Sequence, residues 1–156
     1  MPLDTPITAN TSITANTASP LSSLKADHMA LRVPDFEAAK NWLCDKLDFR
    51  VIQKWSFGDL TLAYLAPAVD DSFLIELIGG DLDTPRKKHD DLGASLAEGG
   101  SHHICFSVDD LEKILAELKS RDVTIIAEPF VVEDINCKLA FITDPWHNLY
   151  EFSQKL

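Results

Sequence analysis

Two histidines and two glutamates recur at equal spacing along the chain. His28 opens the segment HMALRV and His103 opens HICFSV, while Glu76 and Glu151 lie in FLIELI and NLYEFS. His103 follows His28 by 75 positions, and Glu151 follows Glu76 by the same 75. Imidazole and carboxylate groups suit divalent ions such as Zn²⁺, Ni²⁺, Co²⁺, Mn²⁺ and Fe²⁺. If the four side chains converge, they predict one divalent metal ion per site, with coordination positions left for substrate oxygens.

Strand alternation is compatible with that convergence, because every second side chain of a strand shares a face. His28, Ala30 and Arg32 lie on one face, and the opposite face is apolar. His103, Cys105 and Ser107 form the same pattern in the second copy. We expect the apolar faces to be covered by helices; they consist of Met29, Leu31 and Val33 in one strand and Ile104, Phe106 and Val108 in the other.

A single histidine in a strand is more often a core residue than a ligand, and a single glutamate between leucines can be an ion-paired edge residue. Repetition of both at one offset favours metal binding. The alternative is a degenerate module that sequesters a small molecule without metal.

The elements around the four residues repeat as well. Each histidine strand is followed by an amphipathic segment, DFEAAKNWLCDKL or DLEKILAELKSR, with Asp35 and Asp110 where helix N-caps are expected. Three extended apolar segments follow each helix. The order predicts an α+β fold of two repeated βαβββ modules, residues 25–79 and 101–156, joined by a linker at 80–100.

Residues 1–24 differ from the rest of the chain. ITANT occurs twice, and the segment is rich in Thr, Ser, Ala and Asn with few large apolar side chains. Such a composition buries too little surface to offset its ordering entropy, so we expect a low-complexity, solvated tail. An edge strand or a segment docked on a partner subunit stays open.

The composition of the chain disfavours several classes of binding partner. The 156 residues carry a formal charge of −11, whereas proteins that bind a phosphate backbone need clustered Lys and Arg. No apolar run approaches the roughly 18 residues of a membrane span. Cys44, Cys105 and Cys137 are odd in number and lie in apolar runs, as free thiols do. We therefore expect a cytoplasmic protein with no nucleic-acid or membrane partner.

Four segments in register carry a family resemblance: HMALRVPD, FLIELI, HICFSVDD and DPWHNLYEF. Together they resemble the vicinal oxygen chelate superfamily, which includes glyoxalase I, methylmalonyl-CoA epimerase, extradiol dioxygenases, fosfomycin-resistance enzymes and bleomycin-sequestering proteins. The resemblance covers residues 25–154. It implies two βαβββ modules curled into a cup-shaped mixed β-sheet. It also implies a divalent metal ion on His28, Glu76, His103 and Glu151.

The resemblance implies a metal-dependent, glyoxalase I-like lyase or isomerase of the lactoylglutathione lyase type. A metal that holds a carbonyl and an adjacent oxygen stabilises an enediolate and so eases removal of the α-proton. Glu151 matches the catalytic glutamate of glyoxalase I, and Glu76 is the candidate base for the opposite face. The substrate would be a small carbonyl compound or its thiol adduct.

Other reactions stay open. Extradiol dioxygenases typically use two histidines and one carboxylate, so four protein ligands favour proton transfer. Sequences similar to methylmalonyl-CoA epimerase typically have Gln at the position of Glu76, so an epimerase is not a full match either. A non-catalytic small-molecule sequestering protein is the third alternative.

Several other residues have two interpretations. Arg32 matches the arginine that contacts a glutathione carboxylate in glyoxalase I, but it could instead form an internal ion pair. His102 is interpreted mainly as a half-exposed residue at a strand end, pointing away from the face of His103. We expect Arg86, Lys87 and Lys88 to be solvated rather than to meet a substrate anion. His89 and His147 are interpreted as structural or solvated.

Two further expectations concern the lining of the cup and the oligomeric state. The lining of the cup should include some of the aromatic side chains Trp55, Phe57, Tyr64 and Phe141. We expect a homodimer, because glyoxalase I-like proteins complete each site with one module from each subunit, whereas other members of the superfamily pair the modules within one chain.

Overall fold

The structure, a computed structural model, describes residues 14–156. The first module comprises β1 (His28–Val33), α1 (Phe36–Leu47), β2 (Arg50–Phe57), β3 (Leu60–Ala66) and β4 (Leu74–Gly79). The connection contains a short helix, α2 (Leu92–Ser95). The second module comprises β5 (His103–Ser107), α3 (Leu111–Ser120), β6 (Thr124–Val132), β7 (Cys137–Thr143) and β8 (Leu149–Lys155). The predicted α+β fold with repeated βαβββ modules is confirmed.

Each module forms its own four-stranded mixed sheet, in the order β1-β4-β3-β2 or β5-β8-β7-β6. The first and last strands of a module pair in parallel, and the other pairs are antiparallel. Ala30 pairs with Glu76 and Cys105 pairs with Glu151, so the register is the same in both modules. β1 and β5 are edge strands of their sheets.

Both long helices begin as their sequences predict. The Asp35 carboxylate accepts a hydrogen bond from the Ala38 amide at 2.9 Å, and the Asp110 carboxylate accepts one from the Lys113 amide at 3.0 Å. These bonds satisfy amide donors that a helix N-terminus otherwise leaves unpaired. The apolar stripes of α1 and α3 are buried: α1 packs against β4 of the first sheet, and α3 packs against β6, β7 and β8 of the second.

One apolar core joins the two modules. It contains Leu43 and Ile75 from the first module and Leu111 and Tyr150 from the second. Leu31, Val33 and Ile104 are buried in it, and Met29, Phe106 and Val108 pack against it, so the predicted apolar faces are confirmed.

Residues of both helices and their C-terminal caps contact the other module. The rings of Trp42 and Tyr150 stack with centroids 5.9 Å apart. At the ends of both helices, the Arg121 guanidinium donates to both carboxylate oxygens of Asp48, at 2.7 and 3.0 Å. The Lys46 ammonium donates to the Arg121 carbonyl. The modules therefore pack through helices and the covered sheet faces.

A buried carboxylate organises the turn between β7 and β8. Asp144 accepts hydrogen bonds from the Trp146 amide, from the Asn148 amide and side chain, and from the Tyr150 hydroxyl, at 2.8 to 3.1 Å. Burial raises the pKa of Asp144, while these donors act in the opposite direction. His147 adopts a left-handed conformation with φ of 70° in this turn. The network fixes the start of the strand that carries Glu151.

The basic cluster of the linker is not simply solvated, which corrects the expectation for Arg86. Its guanidinium donates to the carbonyls of Ser101 and His102, at 3.3 and 2.8 Å, and so ties the linker to the start of β5. Lys87 lies 3.6 Å from the Glu98 carboxylate. The His89 side chain is 8 % exposed, with its Nε2 3.2 Å from the same carboxylate, as expected for a structural histidine.

The predicted low-complexity tail, residues 1–24, is only partly covered, because residues 1–13 lie outside the residues that the structure describes. Residues 14–24 form turns and irregular backbone and are mostly exposed. Within residues 14–156, no helix has the length and apolar character needed to cross a membrane.

Candidate metal centre

The first predicted pair of ligands comes together on the helix-free face of the first sheet. His28 Nε2 lies 3.5 Å from Glu76 Oε2. The pairing of Ala30 with Glu76 places the carboxylate two residues along from His28 on the same face. The Tyr64 ring lies beside the His28 ring, with centroids 5.2 Å apart.

The second pair repeats this geometry. His103 Nε2 lies 3.4 Å from Glu151 Oε2, and the Phe141 ring stands edge-on to the His103 ring at 5.2 Å. In both modules an imidazole and a carboxylate therefore face each other beside an aromatic wall. Trp55 extends the wall behind Tyr64, and Phe130 extends it behind Phe141. Phe57, also predicted as a lining residue, is 74 % exposed.

One chain does not bring the two pairs together. Across residues 14–156, no group of three or more His, Cys, Asp or Glu side chains is close enough to hold a metal ion. Within these residues the four predicted ligands therefore form two histidine–glutamate pairs and not one group. Each pair lies on the first and last strands of its own module, and we refer to the two pairs as candidate half-sites.

The donor chemistry of the half-sites fits a divalent cation. The Glu76 and Glu151 side chains are only 17 % and 13 % exposed. In the described part of the chain, neither carboxylate has a Lys or Arg within ion-pair distance; each has only its histidine. A shielded carboxylate needs a compensating positive charge, and mixed nitrogen and oxygen donors suit zinc and its neighbours in the first transition series.

The outer nitrogen of each histidine is also engaged. Asp27 Oδ2 lies 2.7 Å from His28 Nδ1, and His102 Nδ1 lies 2.8 Å from His103 Nδ1. His102 is half-exposed before β5, as predicted, but the sequence did not predict that its ring meets the next imidazole. Burial, followed by the charges of His103, Arg86 and His89, lowers the pKa of His102.

Cys105 is a site residue whose contact sequence reasoning missed. Its thiol lies 3.1 Å from Glu151 Oε1 and donates to it. Burial, together with this carboxylate, raises the pKa of Cys105 to about 12, so the sulfur keeps its proton. The equivalent position of the first module is Ala30, so only Glu151 has a thiol partner. The available signal was the shared strand face of His103 and Cys105.

The sequence profile of the Glyoxalase/Bleomycin resistance protein/Dioxygenase superfamily matches residues 25–152. The chain belongs to this superfamily. Solved structures of the superfamily share its fold. A glyoxalase family protein from Enterococcus faecalis is 21% identical with a TM-score of 0.68, covering 83% of this chain and 96% of its own. No curated protein matches significantly.

Two glyoxalase I structures are also similar to this superfamily member. The trypanothione-dependent glyoxalase I of Leishmania major is 24% identical with a TM-score of 0.61, over 85% of this chain and 88% of the enzyme. Glyoxalase I of Zea mays is 21% identical with a TM-score of 0.64, over 84% of this chain and 44% of the enzyme. At these identities the likeness supports the shared fold of the superfamily.

Arg32 lies at the far end of β1 in this superfamily member and bonds to main chain. Its guanidinium donates to the carbonyls of Val33, Ile78, Gly80 and Asp81, at 2.7 to 3.2 Å. The ion pair considered as an alternative is not formed within the described residues. Arg32 thus anchors the end of β4 and the start of the linker, with its Nε and one Nη2 proton left for another acceptor.

Proposed function

We propose that this protein is a metal-dependent lyase or isomerase of the glyoxalase I type, which removes a proton α to a carbonyl group. The observation that supports it is the pair of equivalent half-sites, with Nε2–Oε2 separations of 3.5 and 3.4 Å. His28, Glu76, His103 and Glu151 would hold one divalent ion: Zn²⁺, Ni²⁺, Co²⁺, Mn²⁺ or Fe²⁺. The substrate class is a small carbonyl compound or its thiol adduct.

A second copy of the chain would complete the half-sites. We propose a homodimer in which the first module of one subunit faces the second module of the other. Both histidine strands are edge strands, and both carboxylates lack a cation from their own chain. A two-fold symmetric dimer would complete two sites at once, since each chain supplies one half of each.

A divalent ion bound there supplies Lewis-acid polarisation of a carbonyl oxygen, which acidifies the proton on the neighbouring carbon. The protein's own groups then move that proton. Glu151 is the proposed base, because the Cys105 thiol orients its Oε1, while Oε2 faces His103 Nε2 and is left for metal or substrate. Glu76 lies in the other half-site and would act on the opposite face of the substrate.

The remaining groups bind rather than react. The aromatic walls of Tyr64 and Trp55 and of Phe141 and Phe130 would shield the reacting carbon from water. The free guanidinium protons of Arg32 are the proposed contact for an anionic group of the substrate. Because the guanidinium is already bonded to main chain, its position is set before the substrate arrives.

Metal analysis followed by activity on a hemithioacetal tests the proposal. We expect about one divalent ion per chain in the purified dimer, loss of most of it in His103→Ala, and turnover of the hemithioacetal of methylglyoxal with a thiol. Bound metal without turnover of any carbonyl substrate would favour another reaction of the superfamily, epimerisation or extradiol cleavage. A protein that binds no metal would instead be a small-molecule sequestering module.

A further inference from the structure

Asp27 and His102 occupy equivalent positions, each directly before a proposed ligand histidine and 75 residues apart. Each bonds the Nδ1 atom of that histidine, at 2.7 Å for Asp27 and 2.8 Å for His102. In both modules the Nε2 atom of the ligand histidine then faces the glutamate. The same contact to Nδ1 of the histidine is therefore present in both modules, although the side chains that make it differ.

The hydrogen bonds behind His102 determine its tautomer. The Ser95 hydroxyl has a single proton and donates it to the Leu92 carbonyl at 2.6 Å. The Ser95 oxygen, 2.8 Å from His102 Nε2, must then accept a proton from that nitrogen. A neutral imidazole protonated on Nε2 carries its lone pair on Nδ1.

That lone pair determines the state of the next ring. Since His102 Nδ1 is an acceptor, the proton between the two imidazoles belongs to His103 Nδ1. His103 is left with its lone pair on Nε2, the nitrogen that faces Glu151 at 3.4 Å. A metal ligand must present a lone pair, so this is the tautomer that can bind an ion at Nε2.

We propose that His102 is a positioning residue: with Ser95 of α2 behind it, it holds His103 in the tautomer and ring orientation that bind metal, and Asp27 does the same for His28. The inference rests on the proposed metal site. The two modules differ in how this bond is supported, because the Asp27 side chain is 79 % exposed whereas His102 is half-buried and bonded at both nitrogens.

Four variants test this assignment. His102→Phe keeps a ring and removes both nitrogens, while His102→Asn keeps an acceptor near the position of Nδ1. Ser95→Ala removes the hydroxyl that sets the tautomer of His102. Ser120→Ala is the matched control, because its hydroxyl also donates to a helix carbonyl, that of Glu117 at 2.7 Å, away from both half-sites.

Two measurements are made on each full-length variant. Nitrogen-15 NMR of the metal-free protein, at a pH where imidazoles are neutral, identifies which His103 nitrogen carries the proton. Titration with Zn²⁺ alone gives the dissociation constant. We expect Nδ1–H at His103 in the wild type, in His102→Asn and in the control. In His102→Phe and Ser95→Ala, part of the His103 population should carry the proton on Nε2, and these variants should bind Zn²⁺ about 10- to 100-fold more weakly.

Retention of the pure Nδ1–H form and of wild-type zinc affinity in His102→Phe would overturn the assignment. The proposed function fails separately, if the wild-type protein does not bind Zn²⁺. In that case the tautomer of His103 in the metal-free protein still decides whether His102 controls it.

Discussion

At the scale of single residues, the two glutamates are not equivalent although their positions in the repeat are. Glu151 contacts both His103 and the Cys105 thiol, while the counterpart of Cys105 beside Glu76 is Ala30. A donor on one carboxylate oxygen holds the group in place and leaves the other oxygen for metal or substrate. This asymmetry is the physical basis for assigning different roles to the two carboxylates.

Replacement of Glu151 by Gln tests its role as the base. The amide keeps the shape of the side chain and one oxygen donor, so fold and much of the bound metal should persist. Turnover of the hemithioacetal should fall by about 10² to 10⁴, because the amide cannot accept the substrate proton. Activity is measured against added Zn²⁺, Ni²⁺ and Co²⁺. Recovery to near the wild-type rate with excess ion would show that Glu151 is only a ligand.

The Cys105 thiol should react slowly despite being accessible. A pKa of about 12, well above that of an ordinary thiol, leaves roughly 10³-fold less thiolate at about pH 8. Alkylation of metal-free protein by iodoacetamide, followed peptide by peptide in a mass spectrometer, measures this. In Glu151→Gln the alkylation should be faster but still slower than that of a free cysteine, because burial is the larger cause of the raised pKa of Cys105. Reaction at the rate of a free cysteine in the wild type would contradict the contact.

At the scale of elements, each module must place its last strand against the start of its helix, and the two modules do so differently. Gly79, near the end of β4, lies against the backbone of Phe36. In the second module, Gln154 holds the equivalent place, and its side-chain oxygen accepts a hydrogen bond from the Leu111 amide at 2.8 Å. The last strand and the start of the helix are thus joined by close backbone approach in the first module and by a side-chain hydrogen bond in the second.

Gly79→Ala should destabilise the first module. A Cβ atom there would lie 2.2 Å from Phe36 Cβ and 2.6 Å from Phe36 Cα, so the start of α1 would have to move. We expect the free energy of unfolding to fall by about 1–3 kcal/mol in chemical denaturation at matched protein concentration. Gly99→Ala is the control, since nothing lies within 4 Å of its added Cβ. Equal stability of the two variants would disprove the close approach.

At the scale of the whole molecule, the joint core explains why one chain holds two separated half-sites. The modules bury their helices and covered sheet faces against each other, and the Arg121–Asp48 pair joins the two helix ends. The faces that carry the proposed ligands are not the ones buried in this joint core. In the proposed homodimer, a second copy of the chain would provide the complementary half for each.

Mixed dimers of two inactive variants test the shared site. His28→Ala disables each first module and His103→Ala each second module, so both homodimers should lose most metal. A heterodimer, formed by refolding the two together and isolated through different tags, should regain one intact site of its two. That site combines the first module of the His103→Ala chain with the second module of the His28→Ala chain. Failure of any heterodimer to regain metal, or a metal-binding monomer, would place the sites within one chain.

The sequence by itself determined the features that follow from local periodicity. Strand alternation predicted that Leu31 and Ile104 would be buried and that His28 and His103 would lie on the opposite faces. The family resemblance implied that the two glutamates share those faces. The caps at Asp35 and Asp110 and the equal offset of the repeat predicted where the helices begin and how the strands correspond. These features could be predicted because each depends on neighbours a few residues away or on one repeated register.

Tertiary structure decided what those side chains contact. The separation of the ligands into two half-sites depends on how the modules dock, which is set by packing between residues far apart in sequence. The same holds for Arg32, whose guanidinium meets main-chain carbonyls across β4 and the linker, and for Arg86, which ties the linker to β5. The contact of His102 with His103 was not predicted, because strand alternation gives only the direction of Cβ, whereas the rotamer of a residue before the strand depends on the partner that α2 places beside it.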